Sequence, residues 1–358
     1  MALAMTGVLS GCSAGAVPRG DAVAKPKPLV PAGGVLLQGA GATFPSPLYE
    51  KWFGLYQADH PKDVITYDSV GSGEGIRRFI GRSVTDEEKI DFGASDAAMR
   101  DDEIAQVPAG ALLLPLTAGS IAVAYNLPGL SGELRLSREA YIGIFMGQIQ
   151  NWSDPRIARI NPGVKLPKLT IATVVRQDGS GTTFAFTKHL DAISDAWRSQ
   201  FGPATLINWP GSSMRATGNE GVAGRIKQSI GSIGYVSYDL ARKAGLKIAL
   251  LENRAGTYVA PTEEHSASAF AGAELPVNMR LYVSDPSGND AYPIVTLTWI
   301  LLYRDYSDPH KFEELHDLFR WCLTDGQKYA ADLGYIPLPP NIARRSLDAL
   351  ERMRSGKG

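Results

Sequence analysis

The sequence predicts an α/β protein of about two domains. Three observations predict this class: apolar segments alternate with amphipathic helical patterns from residue 35 onward, glycine and proline punctuate the chain at 38 and 23 positions, and the length is 358 residues. Hydrophobic residues make up 44% and charged residues 20% of the chain, which excludes a disordered or coiled-coil protein. A formal charge of −1 without a long basic run predicts no nucleic-acid partner.

The first 34 residues are predicted to lie outside the folded body. The sequence Leu9-Ser-Gly-Cys12 resembles the lipobox of bacterial lipoproteins, which predicts a signal segment at residues 1–11 and a lipid on the Cys12 thiol. No Lys or Arg precedes Cys12, whereas an export signal has a basic start, so an upstream start and a chance Gly-Cys pair both stay open. Residues 12–34 are rich in proline and poor in apolar residues, which predicts a flexible linker.

The body begins with strand and helix patterns in alternation. Leu48, Trp52 and Leu55 recur at helical spacing, which indicates a helix with one face in the core. The same reasoning predicts strands at 35–38, 64–68, 170–176, 231–236 and 292–303, and helices at 47–58, 75–81, 138–145, 183–190 and 309–324. The longest uncharged stretch, residues 104–132, is interrupted by prolines and glycines, so we predict no transmembrane helix.

Three loops share a design in which small residues and a hydroxyl precede a predicted helix. A helix N-terminus leaves backbone N–H groups unpaired and carries partial positive charge, and glycine lets an anion approach the backbone. Each loop can therefore hold an oxyanion, whereas a single such loop is more typical of an ordinary helix cap. The candidate residues are Thr43 and Phe44 in the first loop, Ser72 in the second, and Ser180, Gly181 and Thr182 in the third.

Charged residues lie beside these loops. Arg176 offers an anion a forked cationic contact, and Asp178 can hold its guanidinium in place; the alternative is a surface ion pair. Asp96 would repel a fully ionised oxyanion, but its carboxylate can accept a hydrogen bond from a protonated one; the alternative is a helix cap or turn residue. Phosphate keeps a proton near neutral pH and sulfate does not, so Asp96 predicts that sulfate is rejected.

These motifs resemble those of the substrate-binding protein of the bacterial phosphate-specific ABC transporter. The resemblance runs from residue 37 to about residue 339. It is carried by Gly-Ala-Gly-Ala-Thr-Phe-Pro at 39–45, Asp-Phe-Gly-Ala-Ser-Asp at 91–96, Asp-Gly-Ser-Gly-Thr-Thr-Phe at 178–184 and Gly-Asn-Glu-Gly-Val at 218–222. It implies an α/β, two-lobed periplasmic-binding-protein fold of type II, with each lobe a sheet flanked by helices and two hinge strands between the lobes. Lobe I would then be discontinuous, at residues 35–121 and 263–358, with lobe II at residues 122–262.

The resemblance also implies a function, which is to bind hydrogen phosphate with high affinity and to deliver it to the membrane permease of an ABC importer. It implies a monomer in the periplasm or at the cell surface, held to the membrane only by the lipid on Cys12, with no cofactor. One departure from the family pattern is Glu74, which adds a negative charge beside the site. The implied phosphate contacts are Thr43, Phe44 through its backbone N–H, Ser72, Asp96, Arg176 paired with Asp178, Ser180, Gly181 and Thr182.

Three alternatives were weighed against phosphate binding. An enzyme is disfavoured because the five histidines form no metal-ligand cluster, no Walker A motif is present, and Ser180 has no serine-hydrolase elbow around it. The sequence thus predicts no catalytic residue and no metal. A binding protein for another oxyanion stays open, above all for arsenate, which carries the same proton. A surface scaffold or adhesion protein also stays open, because its exposed apolar patches are not visible in a sequence.

Overall fold

The computed structural model describes residues 28–356, so Cys12, the predicted signal segment and most of the predicted linker lie outside the described residues. Within this range, no helix combines the length and the apolar character that crossing a bilayer requires. The strands alternate with helices along much of the chain, which confirms the predicted α/β class.

The strands that build the sheets occur along the whole described chain. They are β1 (Leu36–Gly41), β2 (Val64–Ser69), β3 (Phe92–Ser95), β4 (Ala111–Tyr125), β5 (Arg135–Leu136), β6 (Ala172–Arg176), β7 (Met214–Ala216), β8 (Ser232–Ser237), β9 (Lys247–Ile248), β10 (Leu250–Glu252), β11 (Tyr258–Val259), β12 (Val295–Tyr303), β13 (Asp305–Tyr306) and β14 (Arg354–Ser355).

The helices range from single turns to about four turns. They are α1 (Ser46–Asp59), α2 (Ser72–Ile80), α3 (Asp101–Ile104), α4 (Arg138–Phe145), α5 (Pro155–Ala158), α6 (Gly181–Ile193), α7 (Asp195–Gln200), α8 (Gly218–Gln228), α9 (Tyr238–Lys243), α10 (Glu263–Ser268), α11 (Pro309–Leu323) and α12 (Pro340–Leu350). Short 3₁₀ helices lie at Asp86–Glu88, Asp325–Tyr329 and Ala331–Leu333.

One long sheet connects the two lobes. Its strand order is β2-β1-β3-β12-β4-β8-β6-β7, with β9 also paired to β4. β1 runs parallel to β2 and β3 on one side, and β6 runs parallel to β7 and β8 on the other. Residues 111–120 of β4 pair with β12, and residues 121–125 pair with β8, so β4 passes from one lobe into the other.

β4 is absent from the elements predicted above. All of its residues are buried, so it lacks the alternation of apolar and polar residues that marks a half-buried strand. Pro115, which favoured an interrupted stretch, is accommodated by a shift in the register with β12, opposite Thr298 and Trp299. Proline has no N–H for the ladder, and such bulges are where a strand tolerates it.

Most predicted elements are present, with two corrections near the candidate loops. α4 has the predicted bounds because the Ser137 side chain accepts the Ala140 N–H and caps the helix at that point. α2 begins at Ser72 and α6 at Gly181, both earlier than predicted. Ser72, Gly181 and Thr182 therefore belong to the first turns of helices, instead of preceding them.

The segment at residues 269–294, between α10 and β12, forms no helix and contacts elements of both lobes. Its Tyr282 ring lies 5.4 Å from Phe184 on α6 and 5.6 Å from Trp299 on β12, measured between ring centroids. The Arg138–Asp285 ion pair anchors the same segment to α4. Tyr282 therefore packs between α6 and β12.

Candidate functional site

The candidate loops lie at the carboxyl ends of parallel strands in both lobes. The loops after β1, β2 and β3 face the loops after β6 and β7, which is the position where open α/β sheets place their ligand sites. The two sides are in contact, because the Gly73 N–H donates a 2.9 Å hydrogen bond to the Gly179 carbonyl. The structure is therefore a closed form of the cleft.

Two glycines allow this close approach. Gly71, just before α2, has a φ of +95°, and a Cβ there would lie 2.5 Å from the Asp178 Oδ2. A Cβ on Gly181 would lie 2.5 Å from the Asp96 Cβ and 2.6 Å from the Ser72 Oγ. Side chains at either position would collide with the opposite lobe, so glycine is required in the closed form.

Thr43 and Phe44 form the loop between β1 and α1, and both are buried. The Tyr335 hydroxyl donates a 2.7 Å hydrogen bond to the Phe44 carbonyl, and the two rings pack edge to face at 5.7 Å. These contacts fix the Phe44 backbone. The Thr43 Oγ1 accepts hydrogen bonds from the opposite lobe, described below for Asn219.

Asp96 is a buried carboxyl at the carboxyl end of β3, and it lies against the start of α2. The Ser72 Oγ accepts a 3.2 Å hydrogen bond from the Asp96 N–H, and the Asp96 Oδ1 accepts one of 2.8 Å from the Thr298 hydroxyl. Burial raises the pKa of Asp96 to about 7, because desolvation outweighs the Thr298 hydrogen bond and the positive charge of Arg176. This carboxyl therefore gains or loses its proton near neutral pH.

Arg176 is not a surface residue, since only 2% of its side chain is exposed. Its Nε donates a 2.7 Å hydrogen bond to the Asp178 Oδ1, and its Nη2 donates to the Asp178 Oδ2. The third nitrogen, Nη1, is buried without a hydrogen-bond partner. Burial would raise the pKa of Asp178, but the Arg176 hydrogen bonds and charge, with the Gly218 N–H, bring it below its ordinary value.

The loop after β6 ends in a capped helix. Ser180 is the N-cap of α6, and its Oγ accepts a 3.0 Å hydrogen bond from the Thr183 N–H. The Gly181 and Thr182 N–H groups lie on the first turn, where no carbonyl of the helix can bond them. Ser180 therefore caps α6 through the Thr183 N–H, while the Gly181 and Thr182 N–H groups stay available to an anion.

Asn219 is a further residue of the site that the sequence analysis did not select. It is fully buried at the second position of α8, where its Nδ2 donates to the Thr43 Oγ1 at 2.9 Å and to the Thr182 Oγ1 at 3.1 Å. Thr298, which bonds Asp96, was also missed. The motif at 218–222 contained a signal for Asn219, whereas Thr298 lies 202 residues from Asp96 in the sequence and had none.

Glu74, the departure noted in the sequence, is paired within its own helix. Its carboxylate accepts hydrogen bonds from Arg77 at 2.7 and 2.8 Å and from Arg78 at 2.9 Å. These hydrogen bonds, chiefly that from Arg77, lower the pKa of Glu74 to about 2 against the effect of burial. The negative charge of Glu74 is therefore largely compensated by Arg77 and Arg78, which reduces its repulsion of an anion in the cleft.

The histidine nearest in sequence to Ser180 belongs to the core instead of the site. The His189 Nε2 lies 2.9 Å from the Tyr141 hydroxyl, and burial, with the charge of Arg138, lowers the pKa of His189 to about 3. Ser180 has no hydrogen bond to any histidine among residues 28–356. In that same range, no group of three or more His, Cys, Asp or Glu side chains is placed to hold a metal ion.

Known proteins resemble this chain over most of its length. A family model described as a PBP superfamily domain matches residues 18–325. The phosphate-binding protein PstS of Pasteurella multocida is 36% identical over 312 residues, which cover 86% of this chain and 88% of that protein. The chain belongs to the PstS family. A second PstS relative, from Xylella fastidiosa strain Temecula1, is 37% identical over 87% of this chain and 84% of its own length.

Solved structures confirm the fold expected of a PstS protein. A high-affinity periplasmic phosphate-binding protein, PfluDING, bound with phosphate, has a TM-score of 0.72 at 22% identity, covering 86% of this chain and 92% of that chain. The phosphate-binding protein of Stenotrophomonas maltophilia has a TM-score of 0.71 at 20% identity, covering 87% and 93%. The two-lobed periplasmic-binding-protein architecture predicted from the resemblance is therefore confirmed.

Proposed function

We propose that this chain binds inorganic phosphate in the closed cleft between its lobes and delivers it to an ABC-type importer. The observation that carries the proposal is the placement of one buried carboxyl, Asp96, against the positive end of α6 and the buried guanidinium of Arg176. Donors alone would hold any oxyanion of suitable size. Donors with a single acceptor select an oxyanion that carries a proton, and the PstS relatives are named for binding phosphate.

The donors come from both lobes. Thr43, the Phe44 N–H and Ser72 contribute from one side, and Ser180, Gly181 and Thr182 contribute from the start of α6. The unpartnered Nη1 gives Arg176 a charged donor for the anion, while Asp178 fixes the plane of the guanidinium. An anion held by this set bridges the lobes and favours closure.

Asp96 supplies the selectivity. Its carboxylate accepts a hydrogen bond from the hydroxyl of hydrogen phosphate, whereas sulfate has no proton to donate and meets a negative charge in a buried site. Arsenate has the same proton and tetrahedral shape, so Asp96 does not distinguish it from phosphate.

The site binds its ligand without a reaction. The Ser180 hydroxyl already accepts the Thr183 N–H as a helix cap, and His189 is engaged with Tyr141 in the core. A serine nucleophile needs a base within hydrogen-bond reach, and neither residue provides that pair.

The strand pairing supports the expected division into lobes. β12 pairs with β3 and with the first part of β4, which favours assigning residues 35–121 and 263–358 to lobe I and residues 122–262 to lobe II. The chain acts as a monomer outside the cytoplasm, in the periplasm or at the cell surface. It is anchored by a lipid on Cys12, and the closed form docks on the permease.

Replacing Arg176 tests the binding site directly. Arg176→Ala should weaken phosphate binding by about 10²- to 10³-fold, because a buried charged partner of the anion is lost. Arg156→Ala is the matched control, since Arg156 forms a similar forked pair with Asp154, at 3.0 and 2.8 Å, but its side chain is 30% exposed.

Equilibrium dialysis with radiolabelled phosphate measures both variants. The control should remain within twofold of the unmodified protein. A loss of less than threefold for Arg176→Ala would show that the guanidinium is not an anion contact, and equal losses for both variants would point to a general effect on the fold.

A further inference from the structure

Asn219 links three elements of the closed cleft. Its backbone N–H donates a 3.2 Å hydrogen bond to the Thr43 Oγ1, in addition to the side-chain bonds to Thr43 and Thr182. Its Oδ1 accepts a 3.0 Å hydrogen bond from the Ser237 N–H at the end of β8. All of the hydrogen-bonding capacity of the amide nitrogen is thus used on two hydroxyls from opposite lobes.

The orientation of this amide is fixed by chemistry. The Ser237 N–H can only donate, so the atom of Asn219 facing it must be the oxygen. The other end is then the nitrogen, which can only donate. Both threonine hydroxyls are therefore acceptors toward Asn219, and neither can give its proton to that residue.

The proton of each hydroxyl is left for another acceptor. The Thr43 Oγ1 accepts two hydrogen bonds, from the backbone and side-chain nitrogens of Asn219, so both of its lone pairs are used. The Thr182 Oγ1 accepts one hydrogen bond from the Asn219 side chain, which uses one of its two lone pairs. Across the described residues, neither threonine hydroxyl donates a hydrogen bond to a protein atom. Each proton is available to an anion between them.

We propose that Asn219 is a positioning residue that makes the Thr43 hydroxyl an obligatory donor for the bound oxyanion and biases the Thr182 hydroxyl toward donation. The proposal rests on the proposed function above. A free threonine hydroxyl can present either its proton or a lone pair, and a lone pair repels an anion. Asn219 occupies both lone pairs of Thr43 and so removes the repelling orientation from that hydroxyl, and it occupies one lone pair of Thr182 and so disfavours that orientation there. Asn219 reaches Thr43 across the lobe boundary, so its control of the Thr43 hydroxyl operates only when the cleft is closed.

The test is a double-mutant cycle on phosphate affinity, measured by isothermal titration calorimetry on the full chain. Asn219→Ala should weaken phosphate binding about tenfold or more in the unmodified chain, as expected for weakened bonds to a charged group. In a Thr43→Val, Thr182→Val background the same change should cost less than about threefold, because no hydroxyl remains to be oriented. The melting temperature of each phosphate-free variant reports any effect on the fold separately.

Asn126→Ala is the matched control, because its amide donates 2.9 Å hydrogen bonds to the Ile226 and Lys227 carbonyls at the other end of α8. It should leave phosphate affinity within twofold. If Asn219→Ala does not fold, Asn219→Asp replaces it in the cycle, since a carboxylate still accepts the Ser237 N–H but also accepts the threonine protons. Asn219→Asp should bind phosphate at least a hundredfold more weakly, with part of that loss absent in the valine background.

The outcomes separate the two proposals. Equal losses in both backgrounds, or no loss on changing Asn219, would overturn the positioning role while phosphate binding stands. Absence of phosphate binding by the unmodified chain would instead overturn the proposed function.

Discussion

The Asp96→Asn variant should make the empty protein more stable while it reduces its selectivity. Asparagine has nearly the same shape as aspartate and keeps an acceptor for the Thr298 hydroxyl, but it cannot ionise. It also brings an N–H₂ group into the cleft, which can donate to an oxyanion that has no proton.

The magnitude follows from the pKa of Asp96, which burial raises from 3.8 to about 7. One pKa unit corresponds to 1.36 kcal/mol, so the ionised carboxylate lowers the unfolding free energy of the empty protein by up to about 4 kcal/mol. The folded chain holds this proton more tightly than the unfolded chain. The contribution of this proton to the unfolding free energy is therefore fully present below about pH 4 and is lost as the pH rises through about 7.

Urea unfolding of phosphate-free protein at pH 5 and pH 8 measures this difference. The unfolding free energy of Asp96→Asn should exceed that of the unmodified chain by several kcal/mol at pH 8 and by less at pH 5. The same variant should bind sulfate and retain phosphate binding, whereas the unmodified chain should reject sulfate at pH 8.

Asp239→Asn is a matched control, because Asp239 is another buried acid. Burial raises the pKa of Asp239 to about 6. The Asp239→Asn variant should be somewhat more stable than the unmodified chain at pH 8, and it should still reject sulfate. Unchanged sulfate rejection in Asp96→Asn would refute the proton-acceptor account, and unchanged stability at pH 8 would refute the cost assigned to its burial.

Two further predictions concern closure and pH. Gly181→Ala should fold but weaken phosphate binding by about a hundredfold, since its Cβ would lie 2.5 Å from the Asp96 Cβ. The control Gly224→Ala, whose Cβ has no atom within 4 Å, should keep its phosphate affinity. Small-angle X-ray scattering with saturating phosphate reports whether each variant closes, and a closed Gly181→Ala would contradict the steric reasoning. Sulfate binding to the unmodified chain, measured by calorimetry, should strengthen about tenfold per unit as the pH falls toward 7 and level off below, because protonated Asp96 can donate to sulfate. Thr298→Val removes a hydrogen bond that lowers the Asp96 pKa, so the pH at which the sulfate affinity levels off should be higher in this variant. A pH-independent sulfate affinity would contradict this account.

Local chemistry made much of the fold predictable. The bounds of α4 follow from the Ser137 cap, and α11 begins at Pro309, where a proline suits a first helical turn. β4 was not predictable in the same way, because complete burial removes the alternation that identifies a strand. Its crossing between the lobes depends on pairing with β12 and β8, which are far away in the sequence.

In the candidate site, too, residues with a local role were predictable from the sequence, and residues whose role depends on distant contacts were harder to predict. Glycines and hydroxyls before helices pointed to the anion loops, since these residues are needed locally. The start of α6 at Gly181 was harder to place, because a glycine there is explained by Asp96 and Ser72 on the opposite lobe. The motif at 218–222 marked the segment that contains Asn219, but the role of this residue becomes visible only when the fold brings it between Thr43 and Thr182.

The most direct test of the central claim is isothermal titration calorimetry of the full chain, stripped of bound anion by unfolding and refolding, at pH 8. Phosphate and then sulfate are titrated into separate samples. The account predicts one phosphate per chain and no heat from sulfate. Binding of both anions would keep the oxyanion site but contradict the role of Asp96, and binding of neither would contradict phosphate binding itself.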